Sequence, residues 1–133
     1  MEKYLLDTCT CISMFRDEGS VRDSIRKVGT KNCYISEITV AELYFGYAKA
    51  KDKQRKLDDI RLVQKMFKVI PAYSSFKEYG EMRYSLEKVG NRIDQFDLLI
   101  GATAKHHNLI LITSNTKHFI RIKDITIDDW KTK

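Results

Sequence analysis

The stretch LILIT, Leu109 to Thr113, is an unbroken apolar run closed by polar residues, with Asn108 before it and Ser114-Asn115 after it. Such a run reads as a strand buried on both faces, the pattern of a parallel sheet covered by helices. Just upstream, DQFDLLIGATAKHHN (94–108) reads as a largely buried helix with Asn108 as a left-handed C-cap. Downstream, TKHFIRI gives a turn or short helix and ITIDDW a last short strand, with Trp130 sealing the end of the sheet.

Further out, the alternation of strands and helices continues. KYLLD, close to the start, is a short apolar run that ends at an acid and reads as a buried strand. CISMFR starts a helix, and SVRDSIRKV gives another, with Val21, Ile25 and Val28 at helical spacing and Gly29 as its stop. NCYIS is a second strand, whose Ser36 is placed to cap a helix over EITVAELYFGYAKAK. From Asp52 to Val69, Leu57, Ile60, Val63, Phe67 and, just beyond, Ile70 trace one helical stripe. VIPAY is extended around Pro71, and SSFKEYGEMRYSLEKVG forms a helix with Phe76, Tyr79, Met82, Leu86 and Val89 on one side. Strands alternating with helices predict an α/β fold with a mainly parallel sheet, here as one domain over residues 1–133. In such sheets the binding crevice lies outside the carboxyl ends of the strands, so acids at those ends become the candidates for chemistry.

Charge narrows the partners. The formal net charge is +6 at pH 7, which favours a polyanion such as nucleic acid. No apolar run reaches the length of a membrane span, and MEKYLLDT lacks the long apolar segment of a signal peptide. The expectation is a cytoplasmic protein without a membrane partner, in which Cys9, Cys11 and Cys33 stay reduced. Three cysteines also argue against a disulfide framework.

Asp7 follows Tyr4-Leu5-Leu6 directly and so stands at the carboxyl end of the first strand, where an acid can also cap the next helix. Glu42 lies in a helix among Val40, Ala41, Leu43 and Tyr44, poor company for a charge. Asp94 and Asp97 are three apart at a helix start, where Asp complements the macrodipole. That explanation fits Asp94 better than Asp97, which is embedded in FDLLIGATA. Thr113 and Asn115 follow the last clear strand, where turn chemistry is the plain alternative. Taken together, these carboxylates would repel one another unless a cation neutralises them, and an all-oxygen donor set suits Mg²⁺ or Mn²⁺. A basic chain with such a site is equipped to hydrolyse a phosphodiester.

Other features have simpler readings. His106 and His107 suit a helix C-terminus, and no Cys or His stands at zinc-ligand spacing. KAKDKQRK (49–56) reads as a solvated helix end that could also meet RNA phosphates. Tyr44, Phe45 and Tyr47 read as core or interface residues, with base stacking by Tyr44 or Tyr47 as the alternative.

YLLDT, EITVAELYFG, IDQFDLLIGATA, LILITSNTKHF and ITIDDW resemble, in order and spacing, the motifs of PIN-domain proteins, above all the VapC-type toxins of bacterial toxin–antitoxin pairs. The resemblance spans essentially the whole chain and is weakest over residues 17–31 and 49–56. It implies a three-layer α/β/α fold and a Mg²⁺- or Mn²⁺-dependent endoribonuclease, with tRNA as a first candidate substrate. It further implies a homodimer and a cognate VapB-like antitoxin whose tail crosses the acid-centred groove. Asp7, Glu42 and Asp97 match the family's metal-binding acids, and Asp94 is a secondary candidate. Many relatives carry a fourth acid in a T-x-D pattern where this chain has Thr113-Ser114-Asn115, and Asn or Ser where it has Cys9. Thr113 and Asn115 would position water or phosphate. The departures leave two other readings open: an RNA-processing PIN nuclease without an antitoxin, and an inactive scaffold that binds RNA or protein.

Overall fold

A computed structural model describes residues 2–132. Five strands, β1 (Tyr4–Leu6), β2 (Cys33–Ser36), β3 (Lys68–Ile70), β4 (Ile110–Ile112) and β5 (Ile127–Asp128), form a sheet in the order β3-β2-β1-β4-β5, every pair parallel. The helices are α1 (Thr8–Phe15), α2 (Val21–Val28), α3 (Glu37–Ala48), α4 (Lys53–Met66), α5 (Phe76–Lys88), α6 (Gln95–His106) and α7 (Thr116–Phe119). None of the described helices is long and apolar enough to cross a membrane.

Alternation along each strand distributes side chains between two cores, which makes the architecture three-layered. Leu5 and Leu111 face the layer of α5 and α6, where Met82, Leu86, Leu98, Ile100 and Phe119 are buried. Leu6, Ile35 and Ile112 face the layer of α1, α2 and α4, with Cys11, Val21, Ile25, Ile60, Val63 and Trp130. Residues with nearly complete burial on both faces explain the continuous apolar reading of LILIT. In α6, Gly101 permits close packing: a Cβ there would lie 3.3 Å from the Phe119 ring. Trp130 packs beneath the sheet with its ring 5.3 Å from that of Tyr4.

Several element boundaries differ from the sequence reading. The helix expected from Asp52 to Val69 runs only from Lys53 to Met66, capped by the Asp52 carboxylate on the Arg55 N–H at 3.1 Å. Lys68–Ile70 is strand instead, in register with Tyr34–Ser36. Val69 and Ile70 are β-branched and Ile70 precedes Pro71, so pairing with β2 prevails over the helical stripe. In α5 only Met82 and Leu86 of the expected face are fully buried, while Phe76 and Val89 are exposed. The first helix starts at Thr8, immediately after Asp7, rather than in the CISMFR segment.

Candidate functional site

Strand order reverses at β1, which pairs with β2 on one side and β4 on the other, so the crevice opens at the carboxyl ends of β1 and β4. Asp7 occupies the single position between β1 and α1. Its N–H donates to the Ile112 carbonyl at 3.1 Å, continuing the ladder, and its Oδ1 accepts from the Thr10 N–H at 2.8 Å. The residue is therefore the α1 cap, yet it is only 3% exposed. Burial raises its carboxyl above the ordinary range. Hydrogen bonds from Thr113 and Thr10 oppose the shift, and the charge of Asp129 adds to it.

Glu42 projects from the middle of α3 toward the start of α1. Thr8 Oγ1 donates to Glu42 Oε1 at 2.6 Å and lies 3.1 Å from Thr39 Oγ1. A hydroxyl has one proton, so Thr39 donates to Thr8 and Thr8 to Glu42, a polarised chain that orients the carboxylate. Burial raises the Glu42 carboxyl, the Thr8 bond lowers it, and Asp94 and Asp7 raise it further.

The third contribution comes from the start of α6. Asp94 Oδ2 accepts from the N–H groups of Phe96 at 3.1 Å and Asp97 at 3.3 Å, so Asp94 is the N-cap. Asp97, one turn in, is half-buried and is pushed up to about 6, first by burial and then by Asp94, Asp7 and Glu42. Each of these influences disfavours the charged form. The structure thus brings Asp7, Glu42, Asp94, Asp97 and Thr113 into one neighbourhood. Asn115 lies at its rim: its N–H donates to Thr113 Oγ1 at 2.9 Å, while its side chain makes none of the cluster's hydrogen bonds.

The donors fit a hard divalent cation in kind, being carboxylates and hydroxyls whose mutual repulsion such a charge would relieve. As the side chains stand, no three His, Cys, Asp or Glu groups among the described residues converge closely enough to hold an ion. The thiols offer no competing metal or redox site: Cys11 and Cys33 are buried, the latter's thiol pushed up to about 11 by burial. Cys9 is exposed, and its thiol is raised by partial burial and then by Asp7, Asp97 and Glu42.

A second surface stands apart from the carboxylates. Between α1, α2 and α4 runs an apolar groove of about 610 Å³ floored by Met14, Ile25 and Met66, with Phe15 and Leu62 along it. Arg22 and Arg26 stand on its rim.

Comparison with known proteins bears directly on this arrangement. The PIN domain family model matches residues 4–125. The chain belongs to the PIN-domain family, among its VapC-type toxins. It is 32% identical to "Ribonuclease VapC2" of Rickettsia felis over 96% of this chain and 97% of that protein. It is 30% identical to the "tRNA(fMet)-specific endonuclease VapC" of Shigella flexneri, over 98% and 99% of the two chains. Among solved structures, the Rickettsia felis VapBC2 complex bound to a promoter DNA fragment superposes with a TM-score of 0.88 at 30% identity, covering 96% of this chain and 98% of that one. The DNA-bound VapBC of Salmonella typhimurium gives 0.90 at 29% identity, covering 98% and 99%.

Two contributors to this PIN-domain cluster escaped the sequence reading. Thr8, which orients Glu42, was hidden in the YLLDT motif behind the adjacent acid. Asp129 was passed over although it follows the last strand, where the carboxyl-end rule directs attention. Burial works against its ionisation, but hydrogen bonds from Thr132 and the Lys131 N–H outweigh that and hold its carboxyl below the ordinary range. Asp129 therefore brings negative charge to Asp7, which Asn115 cannot do.

Proposed function

We propose that this chain is the toxin of a toxin–antitoxin pair, a Mg²⁺- or Mn²⁺-dependent endoribonuclease that arrests translation by cutting RNA in the cytoplasm, with tRNA as the first candidate. The observation that carries the reading is the grouping of Asp7, Glu42, Asp94 and Asp97 about one crevice, where burial first and the neighbouring acids next push Asp97 up to about 6. Asp7, Asp97 and Glu42 hold the cation, with Asp94 as a secondary ligand. When bound, the cation supplies a water of lowered pKa and stabilises charge on a phosphoryl oxygen. Thr113 fixes the Asp7 carboxylate, Thr8 fixes Glu42, and Asn115 with Thr113 positions water or phosphate at the rim. The excess of basic residues draws in a phosphodiester that the carboxylates alone would repel.

The kinship with proteins solved as VapBC complexes supports a VapB-like antitoxin as partner. The groove between α1, α2 and α4 suits an apolar antitoxin segment, since its rim arginines Arg22 and Arg26 already pair with Asp17 and Asp23. A homodimer of the single 1–133 domain is part of the same reading. Exposed Tyr73, Phe76 and Phe96, at the starts of packed α5 and α6, supply apolar area for it.

Asn115 favours one rival, a PIN scaffold that binds RNA without cutting it. Inducing the chain and its Asp7→Asn variant in cells and mapping new RNA 5′ ends separates the two. The proposed function predicts discrete ends with the wild type alone, and identical maps would refute it.

A further inference from the structure

Beyond Glu42, α3 carries an unusual pairing on the same face. Phe45 and Lys49 are three and seven residues on, so both lie within one helical stripe of the carboxylate. The Phe45 ring is 68% exposed, and Lys49 Nζ stands over it at 4.6 Å. Next along, Gly46 leaves room for Lys56, whose Cε would lie 3.2 Å from a Cβ at that position. Among the described residues, Lys49, Lys51, Arg55 and Lys56 form no ion pair with a carboxylate. The acid in this run, Asp52, is engaged in capping α4. Lys53 is also occupied, donating to the carbonyls of Tyr47 and Ala48.

An exposed ring beside unpaired cations, leading away from a carboxylate cluster, matches what a single nucleic-acid strand requires: a flat apolar platform for a base and positive charge for the backbone. We propose that Phe45 and Lys49 form a base-and-phosphate subsite that holds an unpaired nucleotide of the RNA on its way into the cluster. The subsite rests on the ribonuclease reading above and adds a substrate preference, because a ring can stack only on a base free of its duplex. Loops and single strands are then bound, and continuous duplex is refused. Phe45 is here a binding residue and takes no part in the bond cleavage. The sequence reading gave Tyr44, Phe45 and Tyr47 as core or interface residues, with stacking by Tyr44 or Tyr47 as the alternative. The structure favours Phe45, which is 68% exposed against 43% for Tyr44, while Tyr47 is half-buried.

The test is RNA affinity in EDTA, which separates binding from cleavage, measured with a single-stranded oligonucleotide carrying a fluorescent adenine analogue. Phe45→Ala weakens binding about tenfold, as loss of one stacked base does, while Phe45→Trp retains affinity and its new indole is quenched by RNA. Lys49→Ala lowers the slope of log affinity against log salt by about 0.7, and Lys27→Ala on exposed α2 leaves it unchanged. Light scattering reports the same oligomeric state for all variants. Unchanged affinity in Phe45→Ala overturns the proposal, and so does a loss that tracks a change of oligomeric state, which assigns the ring to a second copy. If the wild type cleaves RNA with Mn²⁺ and Phe45→Ala does so at the same KM, the subsite fails while the nuclease stands. If the wild type neither binds nor cuts RNA, both fail.

Discussion

The carboxylate cluster and the α1–α2–α4 groove are incomplete in opposite ways. At the cluster, polar groups are over-supplied: Asp7, Glu42 and Asp97 are each raised above the ordinary carboxyl range, by burial first and then by neighbouring acids, Asp129 for Asp7 and Asp94 foremost for the other two. At the groove, apolar side chains line about 610 Å³ of open space, with Arg22, Arg26 and Asp59 among the polar residues that edge it. Neither arrangement serves the isolated chain. Repelling carboxylates cost stability, and uncovered Leu62, 49% exposed, forgoes the gain of burial. Under the proposed function the two surfaces take two kinds of partner, a cation with its phosphodiester at one and an apolar protein segment at the other.

The sharpest way to break this contrast is at the cluster. Asp97→Asn is expected to lower metal-dependent RNA cleavage about 10³-fold, the loss of several kcal/mol of transition-state stabilisation, with antitoxin capture unchanged. Single-turnover cleavage and a pull-down with the antitoxin read the two effects. At the groove, Leu62→Glu places a charge where an apolar segment should dock. Antitoxin affinity falls at least about tenfold by calorimetry, while cleavage by the free chain stays intact. A variant that loses both activities together would erase the distinction between the surfaces.

A smaller effect comes from proton linkage. Asp97 moves from an ordinary 3.8 to about 6 on folding, so its protonated form is favoured in the native state. Stability from this group is present below pH about 4 and is lost as pH rises through about 6. For the metal-free chain, Tm should therefore decline across that window. At pH 7.5 Asp97→Asn should be more stable than wild type by about 1 kcal/mol, discounted for its partial exposure, or a few degrees in Tm. Scanning calorimetry in EDTA checks the sign, and a variant that melts below wild type would contradict it. The least effect is expected of Cys9→Ser. Its side chain is exposed beside the cluster and caps nothing, so the cleavage rate should change by less than about threefold.

What the sequence disclosed follows from how local each signal is. LILIT and KYLLD were readable as buried strands because both faces of the sheet are covered, leaving no alternation to interpret. Asp7 and Asp97 stood out because an acid next to uninterrupted apolar residues violates the usual pattern. Lys68 was assigned to the helix, and Val69–Ile70 were read as extended but not as a sheet strand, because that strand exists only through pairing with Tyr34–Ser36, more than thirty residues away. The chain of hydroxyls from Thr39 through Thr8 to Glu42 was invisible for the same reason, since it joins α1 to α3 across thirty-four positions. Capping and chemistry were framed as alternatives for Asp7 and Asp94. In the structure capping does not remove either acid from the crevice: Asp7 caps α1 directly after β1, and Asp94 caps α6 after the loop that follows α5, beside Asp97.

Under the proposed function the carboxylate cluster is a cation site that serves RNA hydrolysis. Its most direct test is cleavage of one single-stranded RNA by the EDTA-treated full chain across a Mn²⁺ titration, with Asp7→Asn in parallel. The expected result is no cleavage without the metal, saturable cleavage with it, and none from the variant at any concentration. Cleavage that is indifferent to EDTA, or full activity in Asp7→Asn, would contradict it.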